Sequence, residues 1–177
     1  MRTGILGGTF NPPHLGHLHA ARLAREALGL DKVLFIPTNI PPHKALPEDT
    51  ATVADRCEMV RLLLADTPWA RLDTLEVARG GASYTVDTLR ALHARGERAL
   101  YLIVGTDMLL SFDRIWRAPE EIVRPVSYTH LDVYKRQMQS GAKIDVMPRS
   151  SACSHISNHR RTVCSLSFMC FASCLPA

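Results

Sequence analysis

Two histidines three residues apart, His14 and His17, are the side chains of this sequence best placed to do chemistry. They follow a short apolar segment that ends in Gly7 and Gly8, and a helical pattern begins where they stand. The first turn of a helix binds anions, because its N–H groups are free and the helix dipole is positive there. Glycines let the backbone approach a phosphate closely. The stretch therefore predicts a polyphosphate site with two histidines that donate protons or hydrogen bonds to it.

This stretch differs from the common phosphate-binding loops. Residues 7–17 lack the Gly-Lys-Ser/Thr of a Walker loop and the Gly-x-Gly-x-x-Gly of a dinucleotide-binding fingerprint. A lone pair of glycines or a lone histidine at a helix start is more often structural than functional. The combination of strand, paired glycines, His-x-Gly-His and helix favours function. Gly16 is expected to let a nucleotide approach the first helical turn.

The elements that must position this stretch alternate between strand and helix patterns. The predicted strands are 3–6, 32–36, 70–77 and 100–104, and the predicted helices are 14–28, 51–65 and 83–94, with a further helix starting at 119–123. Such alternation predicts an α/β fold in which helices flank a parallel sheet. Ligands bind beyond the carboxyl ends of the strands in such sheets. The polar segments 7–17, 37–44 and 105–107 all follow predicted strands.

Composition narrows the function classes. The net charge of +4 comes from residues beyond Pro125, since residues 1–125 hold equal numbers of basic and acidic side chains, and this neutrality gives no support to nucleic-acid binding. No apolar run could span a bilayer and no secretory signal begins the chain, so we expect a cytoplasmic protein without a membrane partner. Cys57 stands alone on a predicted helix, and the other cysteines, all after residue 150, form no Cys-x-x-Cys pair. No metal site is predicted.

The pattern of alternating elements ends at Pro125. Residues 126–137 can be encoded by DNA that, apart from its last two bases, is its own reverse complement. That DNA resembles two transposon mosaic ends joined back to back, and agreement along the whole segment disfavours a chance choice of codons. We interpret 126–137 as an artefact segment and 138–177 as a tail of uncertain origin, expected to be disordered or poorly packed. Residues 1–125 would then be the N-terminal part of the domain.

Four motifs in residues 1–125 together resemble one family. The histidine stretch resembles the His-x-Gly-His signature of the nucleotidyltransferase superfamily. Residues 35–44, with Pro-Pro-His-Lys, the triplet Ser-Tyr-Thr at 83–85 and Gly-Thr-Asp at 105–107 resemble bacterial nicotinate-mononucleotide adenylyltransferases. Pantetheine-phosphate adenylyltransferases share the first motif but usually lack the Pro-Pro-His-Lys loop. The resemblance implies a Rossmann-like fold of the nucleotidyltransferase type.

The resemblance also implies a reaction and its residues. AMP would pass from ATP, accompanied by Mg²⁺, to nicotinate mononucleotide in NAD biosynthesis. The implied catalytic residues are His14 and His17. The implied ATP- and phosphate-binding residues are Gly7, Gly8, Thr9, Phe10, Gly16, Gly105 and Asp107. The implied mononucleotide-binding residues are Asn39, His43, Lys44, Tyr84, Thr85 and Trp116.

Structural alternatives to these roles stay open. Asn39 is also typical of a turn, Thr85 and Asp107 of helix caps, and Trp116 of a core. His43 and Lys44 could be a solvated pair on a loop.

Two other functions also stay open. One is an adenylyltransferase with another acceptor, such as pantetheine phosphate. The other is an inactive fragment, because the family's second ATP-binding motif, resembling Ile-Ser-Ser-Thr-x-Ile-Arg, does not occur in residues 1–125. On that reading half of the ATP site is missing and one edge of the sheet is uncovered.

Overall fold

The computed structural model describes residues 1–105, 108, 112–123, 128–132 and 167–173. The strands are β1 (Arg2–Gly8), β2 (Lys32–Pro37), β3 (Ala70–Leu72), β4 (Ala99–Gly105), β5 (Tyr128–Asp132) and β6 (Ser167–Ser173). The helices are α1 (Leu15–Leu28), α2 (Val53–Leu63), α3 (Leu75–Arg79), α4 (Thr85–Ala94), α5 (Phe112–Ile115) and α6 (Pro119–Val123). None of the helices in these ranges is long and apolar enough to cross a membrane.

The described strands form one sheet in the order β3-β2-β1-β4-β6-β5. β1 pairs in parallel with β2 and β4, and β2 pairs in parallel with β3. The predicted α/β fold, a Rossmann-like parallel sheet flanked by helices, is confirmed for these four strands. The chain builds outward from β1 to β3 and then returns to place β4 on the other side of β1. Open α/β sheets bind ligands at such a switch point, outside the carboxyl ends of the strands.

The edge of β4 is covered by another strand. β6 runs antiparallel to β4, and β5 runs antiparallel to β6. The prediction of an uncovered edge is therefore wrong, whereas the expectation of a disordered or poorly packed tail stays a prediction. The physical reason for the covered edge is that β6 is uncharged and rich in apolar residues, a composition that pairs readily with the free N–H and C=O groups of an edge strand. The interpretation of 126–137 as an artefact stays a prediction.

The core lies on both faces of the sheet. One face packs against α3, α4 and α6, and its buried residues include Ile5, Leu34, Leu102, Leu89 and Ile122. The other face packs against α1 and α2, and its buried residues include Leu6, Phe35, Ile103, Ala24 and Val60. Neighbouring residues of each strand thus point to opposite faces, which explains why the strands are apolar throughout.

Local signals set the ends of the helices. His14 is the N-cap of α1, and Gly29, with φ of 59°, is its left-handed C-cap, as the glycine predicts. α2 is shorter than the predicted 51–65, because Thr52 caps it by accepting a hydrogen bond from the backbone N–H of Asp55 at 3.2 Å.

The predicted strand 70–77 is half wrong. β3 pairs only with Val33–Phe35 and ends at Leu72, and Leu75 begins helix α3. Asp73 makes the change, because its Oδ1 accepts a hydrogen bond from the backbone N–H of Leu75 at 2.9 Å. The spacing of the apolar residues fits a strand and a short helix equally well, so periodicity alone could not separate them.

Candidate active site

The carboxyl ends of three strands lie side by side and position the candidate site. Gly8, at the end of β1, is in register with Pro37 at the end of β2. Gly105 ends β4 on the other side of β1. Gly7 and Gly8 belong to β1 itself, and residues 9–14, here called the histidine loop, lead from it into α1. The predicted meeting of these segments at one edge of the sheet is therefore found.

Phe10 anchors the histidine loop. Its ring is buried, with its centroid 5.9 Å from that of Phe35 and 5.1 Å from that of His17, which it meets edge-on. Its φ of 51° lies in the left-handed region, which residues other than glycine seldom adopt. Such strain costs about 1–3 kcal/mol and persists where the surroundings enforce it. Burial of the ring thus holds the backbone of residues 8–10 in one conformation.

His14 and His17 lie against each other at the start of α1. Their ring centroids are 3.8 Å apart, with 37° between the ring planes. The backbone N–H of His14 donates to Nδ1 of His17 at 3.2 Å. Because Nδ1 accepts this bond, a neutral His17 carries its proton on Nε2. The structure therefore brings together the two histidines that the sequence singles out, with His14 exposed and His17 half-buried.

His17 is neutral at pH 7. Burial lowers the pKa of its imidazole from 6.5 to about 4, and repulsion from His14 adds to the shift. The neutral ring can donate a hydrogen bond from Nε2 without a buried charge. An anion bound beside it would favour the protonated form and raise this pKa.

Gly16 and Gly7 leave space for different reasons. A Cβ on Gly16 would lie 2.9 Å from Nδ1 of His14, so glycine is needed for the His14 ring to lie over the first turn of α1. The sequence assigns that space to a nucleotide, whereas in the structure His14 itself occupies it. Among the residues that the structure describes, a Cβ on Gly7 would meet nothing within 4 Å, so their packing does not require glycine there.

The start of the loop after β2 is held by hydrogen bonds. In this loop, residues 38–44 and here called the proline loop, the N–H of Thr38 donates to the carbonyl of Gly8 at 2.9 Å. The N–H of Asn39 donates to Oγ of Ser83 at 3.0 Å, and its Nδ2 donates to the carbonyl of Gly81 at 2.9 Å. Asn39 therefore ties the proline loop to the segment before α4. Its role as a substrate ligand stays a prediction.

The end of the proline loop is exposed to solvent. His43 and Lys44 are both exposed, and neither forms a hydrogen bond or ion pair with another residue in the described ranges. The structure places them on the same loop as Asn39 without bringing them into contact with His14 or His17. Their binding of a mononucleotide phosphate stays a prediction.

The Ser-Tyr-Thr segment opens α4. Tyr84 is the N-cap residue and Thr85 is the first helical residue, so the alternative that Thr85 caps this helix is wrong. Ser83 precedes the helix because its N–H pairs with the carbonyl of Ile40 at 2.9 Å. Tyr84 and Trp116 are half-buried and pack against the same core cluster. This packing fits the core alternative for Trp116, whose contact with a nicotinate ring stays a prediction.

Arg56 is the residue of this region that sequence reasoning missed. Its side chain is 1% exposed and donates hydrogen bonds to the carbonyls of Thr9 and Thr38, one in each loop. A signal existed, because Arg56 lies four residues before the buried Val60 and therefore on the same face of α2. A charged residue on an apolar helix face is a candidate functional residue.

Gly105 and Asp107 are the remaining predicted site residues, and only the first of them is among the described residues. Gly105 ends β4 at the site, whereas Asp107 lies outside the described residues and its role stays a prediction. Cys57 is half-buried on α2, and burial raises the pKa of its thiol. Within the described ranges, no group of three or more His, Cys, Asp and Glu side chains could hold a metal ion.

A family comparison decides what this arrangement of loops belongs to. The model of the cytidylyltransferase-like family matches residues 5–160, which include both loops and the start of α4. The chain belongs to the cytidylyltransferase-like family. The resemblance found in the four motifs is thereby confirmed at the level of the family.

Two relatives narrow the comparison. The chain is 44% identical over 128 residues to a protein of Lactiplantibacillus plantarum named as a probable nicotinate-nucleotide adenylyltransferase, with 72% of this chain and 60% of the relative covered. It is 38% identical over 140 residues to a protein of the same name from Listeria innocua, with 77% of this chain and 73% of that relative covered. The chain thus spans 60% of the length of the first relative.

A solved structure supports the fold. The nicotinic acid mononucleotide adenylyltransferase of Plasmodium falciparum, complexed with NaAD, matches with a TM-score of 0.59 and 17% identity. The match covers 69% of this chain and 60% of that one. At this level of identity the similarity establishes the fold alone.

Proposed function

We propose that this protein transfers AMP from ATP to nicotinate mononucleotide, releasing pyrophosphate and forming nicotinic acid adenine dinucleotide for NAD biosynthesis in the cytoplasm. The observation that carries the proposal is the place of the histidine pair. The rings of His14 and His17 are 3.8 Å apart at the start of α1, and the proline loop is bonded to the end of the adjacent strand at Gly8. A polyphosphate and a mononucleotide can therefore be held side by side. The names of the relatives support this assignment.

The proposed chemistry needs no protein base. An ionised phosphate oxygen of the mononucleotide attacks the α-phosphorus of ATP, and the bond from that phosphorus to the bridging oxygen of the β-phosphate breaks. Pyrophosphate leaves with the electron pair. Catalysis then consists of placing the two phosphates in line and stabilising the charge that develops on their oxygens.

The two histidines take different parts in this proposal. His17, with a pKa of about 4, donates a hydrogen bond from Nε2 as a neutral ring and gains a proton more readily once a polyphosphate lies beside it. His14 is exposed at the first turn of α1, where the free N–H groups of the helix also face an anion. Both side chains stabilise negative charge on the α-phosphate and the leaving pyrophosphate.

ATP is proposed to bind along the end of β1. The backbone N–H groups of Gly8, Thr9 and Phe10, held in place by the buried Phe10 ring, donate to phosphate oxygens. The open space beside Gly7 lets the nucleotide lie close to the strand. Gly105 and Asp107 are proposed to bind the ribose or the metal-bound phosphates. Mg²⁺ would arrive with ATP as part of the substrate and would neutralise charge on its phosphates, with few direct protein ligands.

The mononucleotide is proposed to bind between the proline loop and α4. Asn39, at the start of that loop, is tied to the segment that leads into Tyr84 and Thr85. His43 and Lys44, exposed on the same loop, supply donors for the mononucleotide phosphate. Trp116, half-buried beside the same core cluster as Tyr84, offers a ring face to the nicotinate group.

An acceptor assay tests the function. The chain is incubated with ATP, Mg²⁺ and one acceptor, and pyrophosphate and dinucleotide are measured separately. Nicotinate mononucleotide is expected to give equal amounts of both products, and pantetheine phosphate is expected to give neither. Transfer to pantetheine phosphate alone would contradict the assignment. Absence of transfer to either acceptor by a chain that shows a cooperative melting transition would reject the activity for this protein.

A further inference from the structure

Arg56 joins the two loops of the candidate site through a single nitrogen atom. It lies in the first turn of α2 with its side chain 1% exposed. Nη1 donates to the carbonyl oxygen of Thr9 at 2.6 Å and to that of Thr38 at 2.8 Å. Nη2 makes a longer bond to the carbonyl of Asn39, at 3.4 Å. One hydrogen of Nη1 thus holds the histidine loop, and the other holds the proline loop.

The charge of Arg56 is not neutralised by an ion pair in the part of the chain that the structure describes. Burial lowers the pKa of the guanidinium, yet an arginine stays protonated in a protein. Burying a cation among neutral acceptors is costly, and it is tolerated here because the guanidinium donates hydrogen bonds to the carbonyls of Thr9 and Thr38. Packing alone therefore does not account for an arginine here.

Other bonds between the two regions do not replace this one. The N–H of Thr38 bonds to the carbonyl of Gly8 at 2.9 Å, and the N–H of Ala51 donates to Oδ1 of Asn11 at 3.2 Å. These bonds keep the chain segments near each other. Neither bond involves Thr9 or the carbonyl oxygen of Thr38, which are the groups that Arg56 holds. Loss of Arg56 should therefore loosen the loops relative to each other without unfolding the sheet.

We propose that Arg56 is a positioning residue, which sets the separation of the histidine loop and the proline loop so that the attacking phosphate meets the α-phosphate of ATP in line. The catalytic part of this inference rests on the proposed function, whereas the link between the loops does not. ATP lies on the first loop and the mononucleotide on the second, so whatever joins the loops sets the distance between the reacting atoms. A misplacement of about 1 Å can lower a rate about 100-fold.

The test compares Arg56→Met and Arg56→Lys with Arg61→Met in the full chain. Methionine keeps much of the aliphatic length but has no donor, and lysine keeps the charge and donates from one nitrogen. Arg61 lies on the same helix but is exposed and paired with Glu58, so it controls for loss of a positive charge from α2. Measurements are kcat and KM, Kd by calorimetry for ATP, the mononucleotide and the dinucleotide product, and hydrogen exchange of ligand-free protein.

The proposal has a defined set of expected results. Arg56→Met lowers kcat about 100-fold, while Kd for ATP and for the mononucleotide, each held by one loop, changes less than about fivefold. Affinity for the product, which contacts both loops at once, falls more than affinity for either half. Arg56→Lys recovers part of kcat. Amide exchange becomes faster in both loops of Arg56→Met but not in β1 or β2, and Arg61→Met matches the unchanged protein.

Several results would overturn the proposal. One is an unchanged kcat in folded Arg56→Met, and another is a lower melting temperature with kcat retained, which would make Arg56 a purely structural residue. If Arg56→Met does not fold, the test depends on Arg56→Lys. Full activity of that variant, with amide exchange in both loops as slow as in the unchanged protein, would show that the guanidinium is not needed. If the unchanged protein transfers no AMP, the proposed function fails, and equal loop exchange in Arg56→Met and the unchanged protein would separately reject the link.

Discussion

The two ends of the parallel sheet differ in whether their buried or half-buried charged side chains form ion pairs. At the amino end, Nζ of Lys32 pairs with the carboxylate of Glu97, which also accepts a hydrogen bond from Oγ1 of Thr3 at 2.7 Å. At the carboxyl end, His17 and Arg56 are buried or half-buried, and no ion pair within the described ranges includes either residue. Lys32 and Glu97 thus neutralise each other at one end, whereas at the other end the charge of Arg56 has no acidic partner among the described residues.

This difference separates stability from function. A half-buried ion pair with a further hydrogen bond stabilises the fold without presenting a charge to a ligand. Basic groups without acidic partners lower the free energy of binding an anion. Substitutions at the amino end should therefore change the free energy of unfolding, and substitutions at the carboxyl end should change transfer or binding. The predictions below are ordered by the size of the expected effect.

The largest effect is expected for His17→Ala. Loss of a hydrogen bond made to the reacting phosphates should lower kcat about 10²–10⁴-fold. The fold should be retained, because the variant removes a single hydrogen bond at the N-cap of α1 and leaves the buried residues beneath the helix unchanged. Steady-state kinetics and a thermal melt measure both effects. His19→Ala, two residues further along the same helix, is the control and should keep its activity.

Survival of activity in His17→Ala would break the comparison between the two ends of the sheet. A large drop in melting temperature would break it too, since the carboxyl end would then serve stability. Activity lost equally in His19→Ala would indicate damage to α1 rather than loss of a phosphate contact.

A second test uses two glycines of the same strand. A Cβ on Gly7 would meet none of the described residues within 4 Å, whereas a Cβ on Gly4 would lie 2.8 Å from Cδ1 of Leu30. Gly7→Ala should therefore change stability by less than about 0.5 kcal/mol, yet raise Kd for ATP about tenfold by filling space that a nucleotide needs. Gly4→Ala should cost about 1–3 kcal/mol of stability through overpacking. Calorimetry with ATP and a denaturant titration separate the two.

The reverse pattern would contradict the assignment of ligand space to Gly7. ATP affinity unchanged in Gly7→Ala would mean that the nucleotide does not approach the end of β1. Gly4→Ala, which lies near the amino end, should bind ATP as the unchanged protein does if it remains folded.

The fold could be predicted from the sequence wherever a pattern had one interpretation. The continuous apolar strands and Gly29 predicted β1, β2, β4 and the end of α1 to within two residues, because burial on both faces and a left-handed cap each demand particular residues. The strand predicted over 70–77 is half wrong, because the spacing of its apolar residues fits both a strand and a short helix. The pairing of Ser167–Ser173 with β4 could not be predicted, since it depends on a free edge far away in the chain.

The site was predictable only in part, for a similar reason. The histidines stand on one helical turn, so their meeting follows from local spacing. Arg56 acts through the carbonyls of Thr9 and Thr38, which are 47 and 18 residues away in the chain, and no local pattern encodes such bonds. The sequence does not show which way the His14 ring turns over Gly16, and the approach of a nucleotide to Gly16 stays a prediction.

A smaller effect concerns the protonation of His17. Its imidazole, with a pKa of about 4 in the free protein, should remain neutral at about pH 5.5, where an exposed histidine is mostly protonated. ATP should raise this pKa, because the polyphosphate favours the charged ring. An NMR titration of the ring protons, assigned with His17→Asn, measures both. An ordinary pKa near 6.5 without ATP, or no rise with ATP, would contradict a half-buried ring that faces the phosphates.

The smallest effect on activity is expected for Glu97→Gln at the amino end. The variant should retain kcat and lose about 1–3 kcal/mol of stability at pH 7, because Lys32 and Thr3 lose a charged partner. Burial raises the pKa of Glu97, but the hydrogen bonds from Lys32 and Thr3 outweigh it and hold this pKa below its usual 4.5. Chemical denaturation and steady-state kinetics at pH 7 measure the two quantities, and Glu58→Gln, which changes an exposed residue of α2, is the control.

The pH dependence of that difference gives the sharper test. Because the pKa of Glu97 is lower in the folded than in the unfolded state, the unfolded chain binds more protons as the solution is acidified. The stabilisation by Glu97 is therefore complete above pH 4.5, its pKa in the unfolded chain, and disappears as the pH falls through its pKa in the folded protein.

His17 also destabilises the fold between pH 6.5 and about 4, but it does so in both proteins, so its effect cancels in the difference between them. The denaturation curves of Glu97→Gln and the unchanged protein should thus differ at pH 7 and converge only below pH 4.5. Convergence already at pH 6 would assign the stabilisation to another group and remove the contrast between the two ends of the sheet.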